Sequence, residues 1–261
     1  MNPGRPSPRP GPLRAIRASV RALSEQFGFG FRWMGGLARL AGFVSEYRRF
    51  RRLNQGSPFV LRGGDILPCL SDRTETTPIE PIYFLQDTWF ARKIAERRPA
   101  SHVDVGSSVK SMGLVAQFVP VTFVDIRPVE IELAGFSFLH GTVLALPFPT
   151  GSVASLSSLC VVEHIGLGRY GDPLDAAGSE EAAAELGRVL ARGGDLYFSV
   201  PVDSECRIYF NAHRAFTREA VLAMFPGLEL VEERYIYGRA LFPAYDPARG
   251  FGTGLYHLHR P

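Results

Sequence analysis

Residues 101–127 read SHVDVGSSVKSMGLVAQFVPVTFVDIR and decide the fold of this chain. Two short runs rich in β-branched residues, 102–105 and 121–126, each end in a polar turn. Between them lies a compact apolar segment, residues 112–119, which is long enough for about two turns of helix. This pattern predicts a β-α-β unit.

An aspartate lies at or near the end of each predicted strand. Asp104 and Asp125 are 21 residues apart, close to the spacing at which an acidic residue after the second strand contacts a ribose. A dinucleotide site also needs the pattern G-x-G-x-x-G, but residues 106–111 read GSSVKS and keep only the first glycine. A cofactor without phosphates does not need this anion-binding turn. The stretch therefore predicts a nucleotide-type site without a pyrophosphate.

Strands and helices alternate through the rest of the chain. We expect strands at residues 136–139, 152–162, 195–202, 228–237 and 253–259, and helices at residues 83–97, 179–190 and 216–225. Ser179 and Thr217 are the expected N-caps of the last two helices, and Gly193 follows the first of these two. Together these elements predict an α/β protein with a Rossmann-like, doubly wound, mostly parallel sheet. Its last strand is antiparallel, and a basic helical N-terminal extension precedes the domain.

The N-terminal extension carries the positive charge of the chain. Residues 1–53 contain eleven arginines against two glutamates, although the net charge of the whole chain is only +3. We expect the proline-rich residues 1–12 to be disordered, whereas residues 13–27 have an apolar stripe at helical spacing. A basic amphipathic helix can lie on an anionic membrane, or it can pack on the main domain with a solvated arginine face. The expected parts are the extension, a loop-rich linker at 54–82 and an α/β domain at 83–261.

Composition limits the compartment and the partners. No window reaches the roughly 18 unbroken apolar residues of a spanning helix, and we find no signal-peptide pattern. The three cysteines, Cys69, Cys160 and Cys206, are widely spaced, which argues against a disulfide framework and a zinc site. We therefore expect a cytoplasmic protein without a bound metal. Nucleic-acid binding is disfavoured because the body of the chain is acidic and has no nucleic-acid motif.

Five runs of sequence occur in an order that resembles the class I S-adenosylmethionine-dependent methyltransferases, across residues 83–259. They are HVDVGSS, VTFVDIRP, GTVLALPFPTGSVASLSSLCVVEH, ELGRVLARGGDLYFSVPV and HRAFTREAVLAMFPGLELVEERY. More narrowly, EHIGLGRYGDPLD and YFNAHRAF are similar to a methyltransferase-like family of mostly uncharacterised members, some of them associated with cell-surface glycan synthesis. The resemblance implies S-adenosylmethionine as the cofactor.

The resemblance also implies which residues bind that cofactor. They are Asp104, Gly106, Ser107, Asp125, Ile126, Thr142 and Val143. The turn after the first strand would face the methionine part, and the acid after the second strand would accept both ribose hydroxyls. The pair after the third strand would lie beside the adenine. Asp104 could instead cap its turn, and Asp125 could be a solvated strand-end residue. The chain departs from the family pattern at Ser108, Lys110, Thr142 and Ala154.

The loops after the fourth and fifth strands supply the catalytic candidates. Methyl transfer needs an acceptor atom aligned with the methyl group, and often a base. Glu163, His164 and His213 lie in these loops, and His164 is the preferred base because its unperturbed pKa is near neutrality. Either histidine could instead order its loop through hydrogen bonds. Arg169 and Arg207 could bind a phosphate or carboxylate on the acceptor, or be solvated at the surface.

The leading interpretation is a cytoplasmic methyltransferase that acts on an oxygen or nitrogen of a small or glycan-linked acceptor. Residues 13–53 could hold it at a membrane. The rival is a binding or scaffold protein that kept the fold and lost catalysis, which the absence of glycine at Ser108 and Lys110 favours. A nicotinamide-dependent enzyme is disfavoured because the phosphate-binding turn is missing. We read Cys160 as a core residue within a strand, and we assign no function to the histidines of the last strand.

Overall fold

The computed structural model describes residues 32–261, with side chains from residue 39 onward. The chain divides into two compact units, of which the first ends at Pro78 and the second is Ile79–Pro261. The helix predicted over residues 13–27 lies outside the described part. The finer division into extension, linker and domain stays a prediction.

Helix α1 (Arg32–Leu53) is the main element of the first unit. Its last turn contains Arg51 and Arg52, whose charges interact favourably with the carbonyl end of the helix dipole. The chain turns back after it, and the Asn54 side-chain amide donates a hydrogen bond to the carbonyl of Phe59 at 2.8 Å. None of the helices in the described residues is both long and apolar enough to cross a bilayer.

An eight-stranded sheet forms the centre of the second unit. Its strands are β1 (His102–Val105), β2 (Val121–Asp125), β3 (Phe136–His140), β4 (Val153–Leu159), β5 (Leu190–Val202), β8 (Glu229–Tyr237), β9 (Ala240–Phe242) and β10 (Gly252–His259). A separate hairpin pairs β6 (Arg207–Tyr209) with β7 (His213–Ala215). The order is β3-β2-β1-β4-β5-β10-β8-β9. Strands β1 to β5 pair in parallel, and β10 is antiparallel to both β5 and β8. The predicted sheet with an antiparallel last strand is confirmed.

The strand order reverses at β1, which pairs with β2 on one side and with β4 on the other. In open parallel sheets, ligands bind outside the carboxyl ends of the strands at such a point, because the two connections leave in opposite directions and open a crevice. The turn at Gly106 follows β1, and the turn at Cys160 follows β4. The topology therefore locates the candidate site before any side chain is considered.

Helices cover both faces of the sheet. They are α2 (Pro81–Arg97), α3 (Val109–Val115), α4 (Gly178–Val189) and α5 (Arg218–Ala223). Neighbouring residues of a strand point to opposite faces, so Tyr197 packs with Trp89 and Phe90 on one side. Phe198 packs against Phe225 on the other side. These two separate cores confirm the doubly wound arrangement and the expected burial of Trp89.

Capping side chains set the beginning of two helices. The Ser108 hydroxyl accepts a hydrogen bond from the Ser111 amide at 3.4 Å, so α3 begins at Val109, three residues before the predicted start at 112. The Thr217 hydroxyl accepts from the Ala220 amide at 3.2 Å. The predicted N-cap of α5 is therefore confirmed.

The chain between β4 and β5 differs from the prediction in three places. Ser179 is not an N-cap, because α4 begins at Gly178 and the Ser179 hydroxyl donates to the carbonyl of Val162 at 2.7 Å. Strand β5 begins directly after α4, so Gly193 lies inside the strand with a φ of +70°. Strand β4 ends at Leu159, three residues before the predicted end at 162, and a short 3₁₀ turn follows.

Candidate functional site

Two adjoining cavities lie at the carboxyl ends of the central strands. The β2-side cavity, of about 280 Å³, is lined by the ends of β1 and β2 and by the loops after β3 and β4. The β5-side cavity, of about 490 Å³, is lined by the start of α2, the turn after β1, the loop after β4 and the end of β5. Gly106, Cys160, His164 and Tyr170 line both. Ligands in the two cavities would therefore meet at these four residues.

A larger cavity, of about 870 Å³, lies between α4, α5 and the β6–β7 hairpin. Two of the four arginines that line it are engaged in the protein: Arg188 donates to Glu185 and to the carbonyl of Phe148, and Arg214 donates to the carbonyl of Asp175. The remaining lining is mainly apolar. We take the strand ends as the candidate site, because Glu163, His164 and His213 line one cavity there, at the switch point of the sheet.

Asp104 stabilises the turn after β1 from the buried side. It is fully buried and lines neither cavity. Its carboxylate accepts hydrogen bonds from the Ser107 amide at 3.1 Å and from the Ser157 hydroxyl. Burial raises the pKa of Asp104 to about 7, because the charged form loses its water. The observed contacts match the alternative in which this residue caps the turn.

Gly106 forms the open part of the same turn. Its φ is +71°, and a Cβ there would lie 3.1 Å from Cγ1 of Val161. A side chain would therefore meet both backbone strain and a close neighbour. The Ser107 hydroxyl accepts from the Leu159 amide at 2.9 Å, which ties the turn to the end of β4.

A buried polar chain beneath the turn was missed by the sequence reasoning. His102 lies between Ser155 and Ser157, with Nδ1 and Nε2 each 2.8 Å from a hydroxyl oxygen. Because Ser157 donates to Asp104, it must accept from Nε2–H of His102, and Ser155 must donate to Nδ1. Burial lowers the pKa of His102 to about 3, so the ring is neutral. The available signal was the set of serines within the otherwise apolar strand β4.

Asp125 lines the β2-side cavity and is already paired with Arg127. Its carboxylate accepts from the Arg127 amide at 2.7 Å and from the Arg127 guanidinium at 3.2 and 3.3 Å. The Arg127 side chain is 65% exposed, and its guanidinium carbon lies 5.2 Å from the centre of the Tyr170 ring. A ribose at Asp125 would therefore compete with an exposed arginine.

The remaining predicted cofactor residues line the β2-side cavity together. Ile126, Thr142 and Val143 are all part of its wall. The Thr142 hydroxyl accepts from the Leu144 amide at 3.3 Å, so it stabilises its own turn. Val143 is buried and Ile126 is partly exposed. The wall that the resemblance gives to an adenine is thus largely apolar.

Glu163 is buried in the wall of the β5-side cavity and is 2% exposed. Burial raises its pKa to about 8, so the carboxyl is protonated at neutral pH. Its Oε2 has no hydrogen-bond partner among the described residues. Oε1 is 3.6 Å from Nε2 of His164, which is beyond a hydrogen bond. A buried polar atom without a partner is unusual, and Glu163 is one of the residues that line the β5-side cavity.

His164 presents one free ring nitrogen. Its Nδ1 lies 2.6 Å from the carbonyl of Ala212, and because a carbonyl only accepts, Nδ1 carries the hydrogen. Nε2 is therefore unprotonated. Burial lowers the pKa of His164 to about 4, which keeps this lone pair available at neutral pH. The same ring can therefore order its loop through Nδ1 and act as a base through Nε2.

His213 and Arg169 complete the β5-side cavity. The His213 ring centre is 6.5 Å from that of His164 and 5.4 Å from that of Phe251. Burial lowers the pKa of His213, and the charge of Arg169 adds to this effect. Arg169 donates to the carbonyl of Ala212 at 2.9 Å. The structure therefore brings the three predicted catalytic candidates and Arg169 into one cavity.

The loop after β4 is held in shape by two side chains. Asp172 accepts from the Gly166 amide at 2.6 Å and from the Tyr170 amide at 3.2 Å. Arg214, which is buried, donates to the carbonyls of Ile165 and Asp175. Sequence reasoning missed Arg214 as an anchor. These hydrogen bonds hold the loop that contains Tyr170, which lines both cavities.

Cys160 lies just past β4 and not within a strand, which corrects the prediction. Its φ is +55°, and it lines both cavities. Its Sγ is 3.1 Å from Oε1 of Gln86, which also accepts from the Ser199 hydroxyl at 2.6 Å. Burial raises the thiol pKa well above its ordinary value, so the sulfur is not a thiolate.

Three other residues of interest lie outside both cavities. Arg207 pairs with Glu205 at 2.7 Å. His257 and His259 both contact Asp195, at 2.9 and 3.0 Å. Within residues 32–261 no group of three or more side chains has the arrangement of a metal site.

Comparison with family models matches residues 144–237 to a family described as Caenorhabditis protein of unknown function, DUF268. This is about a third of the chain, from the loop after β3 to the end of β8. No curated protein matches the sequence.

Solved structures are similar over much more of the chain. The 1,6-didemethyltoxoflavin-N1-methyltransferase of Burkholderia thailandensis, with 1,6-didemethyltoxoflavin and S-adenosylhomocysteine bound, is 14% identical with a TM-score of 0.51. The similarity covers 89% of this chain and 91% of that one. The fold is the Rossmann-like methyltransferase fold. The N-methyltransferase NodS of Bradyrhizobium japonicum WM9, in complex with S-adenosylhomocysteine, is 17% identical with a TM-score of 0.51, covering 70% of this chain and 89% of that one. At these identities the similarity shows the fold alone.

Proposed function

We propose that this protein transfers a methyl group from S-adenosylmethionine to an oxygen or nitrogen of a small or glycan-linked acceptor. The observation that carries the proposal is the meeting of two cavities at Gly106 and His164, at the switch point of the sheet. One cavity has an acid at the end of β2, and the other has a neutral histidine with a free nitrogen. A two-substrate transfer needs such adjoining sites.

The residues of the β2-side cavity fit the cofactor. Asp125 offers acceptor oxygens for ribose hydroxyls, and Ile126 and Val143 offer apolar surface for an adenine. The positive φ of Gly106 and the closeness of Val161 favour glycine at this position. Because glycine has no side chain, the methionine part could pass close to the backbone there. The two similar methyltransferases with S-adenosylhomocysteine bound share this fold, which supports S-adenosylmethionine as the cofactor.

The chain's own residues would handle the acceptor and its proton. When bound, S-adenosylmethionine would supply an electrophilic methyl group to the acceptor and would leave as S-adenosylhomocysteine. Nε2 of His164 would accept the proton that the methylated oxygen or nitrogen loses. The carbonyl of Ala212 holds the ring in the required tautomer.

Isothermal titration of S-adenosylhomocysteine into the full chain tests the proposal. We expect binding by the wild type and a loss of about tenfold or more in Asp125→Ala, because hydrogen bonds to a carboxylate contribute about 1.5–3 kcal/mol. Asp65→Ala, which changes an exposed aspartate of the first unit, is the matched control. Absence of binding by the wild type would overturn the proposal, and equal binding by Asp125→Ala would overturn the site assignment.

A specific observation favours the rival function, a fold that binds without catalysing. Asp125 is already paired with Arg127, and the turn after β1 has serine and lysine where methyltransferases carry glycine. Under this alternative the protein binds S-adenosylhomocysteine weakly or not at all, and the same titration distinguishes the two.

We also propose that the N-terminal extension, within a cytoplasmic protein, contacts an anionic membrane surface. In α1 the exposed apolar residues Phe50 and Leu53 flank Arg51 and Arg52 at the helix end. Each arginine near an anionic surface contributes about 1 kcal/mol. Flotation with phosphatidylserine vesicles, with and without residues 1–53, tests this, and equal flotation of the two proteins would contradict it.

A further inference from the structure

The β5-side cavity has an uneven distribution of charge. Of the described side chains that line it, Arg169 is the one with a fixed charge at neutral pH. Burial keeps Glu163 protonated and His164 unprotonated. A cationic ligand would therefore meet a positive charge with no carboxylate to offset it.

Arg169 is oriented but not saturated. Its Nη1 donates to the carbonyl of Ala212 at 2.9 Å, and its guanidinium carbon lies 5.2 Å from the centre of the Tyr170 ring. Nη1 is also 3.3 Å from Nδ1 of His164, but that nitrogen carries its own hydrogen and accepts nothing. No described residue accepts from Nε or Nη2. A guanidinium that is oriented by these contacts and has unused donors is suited to a planar or tetrahedral oxyanion.

Glu163 and His164 determine which uncharged group of a ligand could bind beside the oxyanion. Oε2 of Glu163 is buried and has no partner in the described structure, and the residue is part of the cavity lining. Beside it, Nε2 of His164 is a free acceptor. A protonated carboxyl and a neutral imidazole together offer a donor and an acceptor, which match a hydroxyl or an amine. An ionised carboxylate here would repel an anion, whereas a protonated one does not.

We propose that the β5-side cavity binds a small anionic acceptor, whose carboxylate or phosphate oxygens contact Arg169 and whose hydroxyl or amine contacts Glu163 and His164. The aromatic side chains of Tyr83, Tyr170 and Phe251 line the same cavity and would contact the rest of the ligand. That this ligand is the methyl acceptor rests on the proposed function. That an anion binds at Arg169 does not.

Isothermal titration of the full chain with three probes tests the inference. Glycolate carries a hydroxyl and a carboxylate, glycerol 3-phosphate carries hydroxyls and a phosphate, and glycerol is the neutral control. We expect at least one anionic probe to bind the wild type and glycerol not to bind. The stronger of the two anionic probes identifies the oxyanion that the cavity prefers.

The arginine variants assign the site. Arg169→Gln should lose about tenfold or more in affinity for the anionic probe, because hydrogen bonds to charged groups contribute about 1.5–3 kcal/mol. Arg169→Lys should keep part of the binding, and Arg207→Gln, which changes a paired arginine outside both cavities, should keep all of it. Equal binding by Arg169→Gln and wild type, equal binding of glycerol, or no anion binding overturns the inference.

S-adenosylhomocysteine titrated into the same proteins separates the two proposals. If it fails to bind the wild type, the proposed function fails whether or not an anion binds. If S-adenosylhomocysteine binds wild type and Arg169→Gln equally, and the anionic probes also bind both proteins equally, only the anion site at Arg169 is ruled out. Because Arg169 contributes to lowering the pKa of His213, a bound anion should also raise that pKa in an NMR titration.

Discussion

Replacing Glu163 with glutamine should flatten the pH dependence of folding stability. Burial raises the pKa of Glu163 from 4.5 to about 8. Between these values the unfolded chain releases the proton while the folded chain keeps it, so stability falls as pH rises. From about pH 5.5 to about pH 7.5 the wild type should lose roughly 2.5 kcal/mol through this one group. Glutamine has nearly the same shape and does not titrate, so this loss should disappear.

Urea unfolding at several pH values measures the effect as the difference between wild type and Glu163→Gln. Asp104 and His102 titrate alike in both proteins, and their contributions cancel in the difference. Glu219→Gln, which changes an exposed glutamate in the first turn of α5, should follow the wild type. If Glu163→Gln and wild type lose stability in parallel across this range, the buried carboxyl is not protonated and the electrostatic account of the β5-side cavity is wrong.

Two further substitutions test the turn and the ribose position. Gly106→Ala should be more destabilising than Gly227→Ala in urea unfolding. Both substitutions introduce a backbone strain of about 1–2 kcal/mol, but only the first places a Cβ against Val161. Equal losses of stability would show that Val161 moves aside freely. Arg127→Ala should bind S-adenosylhomocysteine up to about fivefold more tightly, because an exposed ion pair of about 1 kcal/mol no longer competes at Asp125; weaker binding in calorimetry would mean that Arg127 contributes to the site.

The fold was predictable because its determinants are local. Buried parallel strands give continuous apolar runs, and turns and caps mark their ends, so β1, β2 and the cap at Thr217 could be located from the sequence. The end of β4 could not, because Cys160 adopts a positive φ that its sequence neighbours do not signal. The β6–β7 hairpin was missed because each of its strands has only three residues and β6 is exposed.

The site was predictable in position but not in its internal connections. Spacing placed Asp125, His164 and His213 near one crevice. It could not show that Arg127 pairs with Asp125, or that the carbonyl of Ala212 fixes the tautomer of His164. These contacts depend on side-chain rotamers and on loops that pack together from distant parts of the chain.

The buried chain from Ser155 to Asp104 makes the ring of His102 a reporter of a proton at the turn. With Asp104 ionised, Ser157 donates to it and Nε2 of His102 carries the hydrogen. Once Asp104 is protonated, below a pKa of about 7, it can donate to Ser157, and each hydroxyl can reverse so that the hydrogen moves to Nδ1. The tautomer of His102, which nitrogen NMR reads directly, therefore records the protonation state of the turn from inside the sheet.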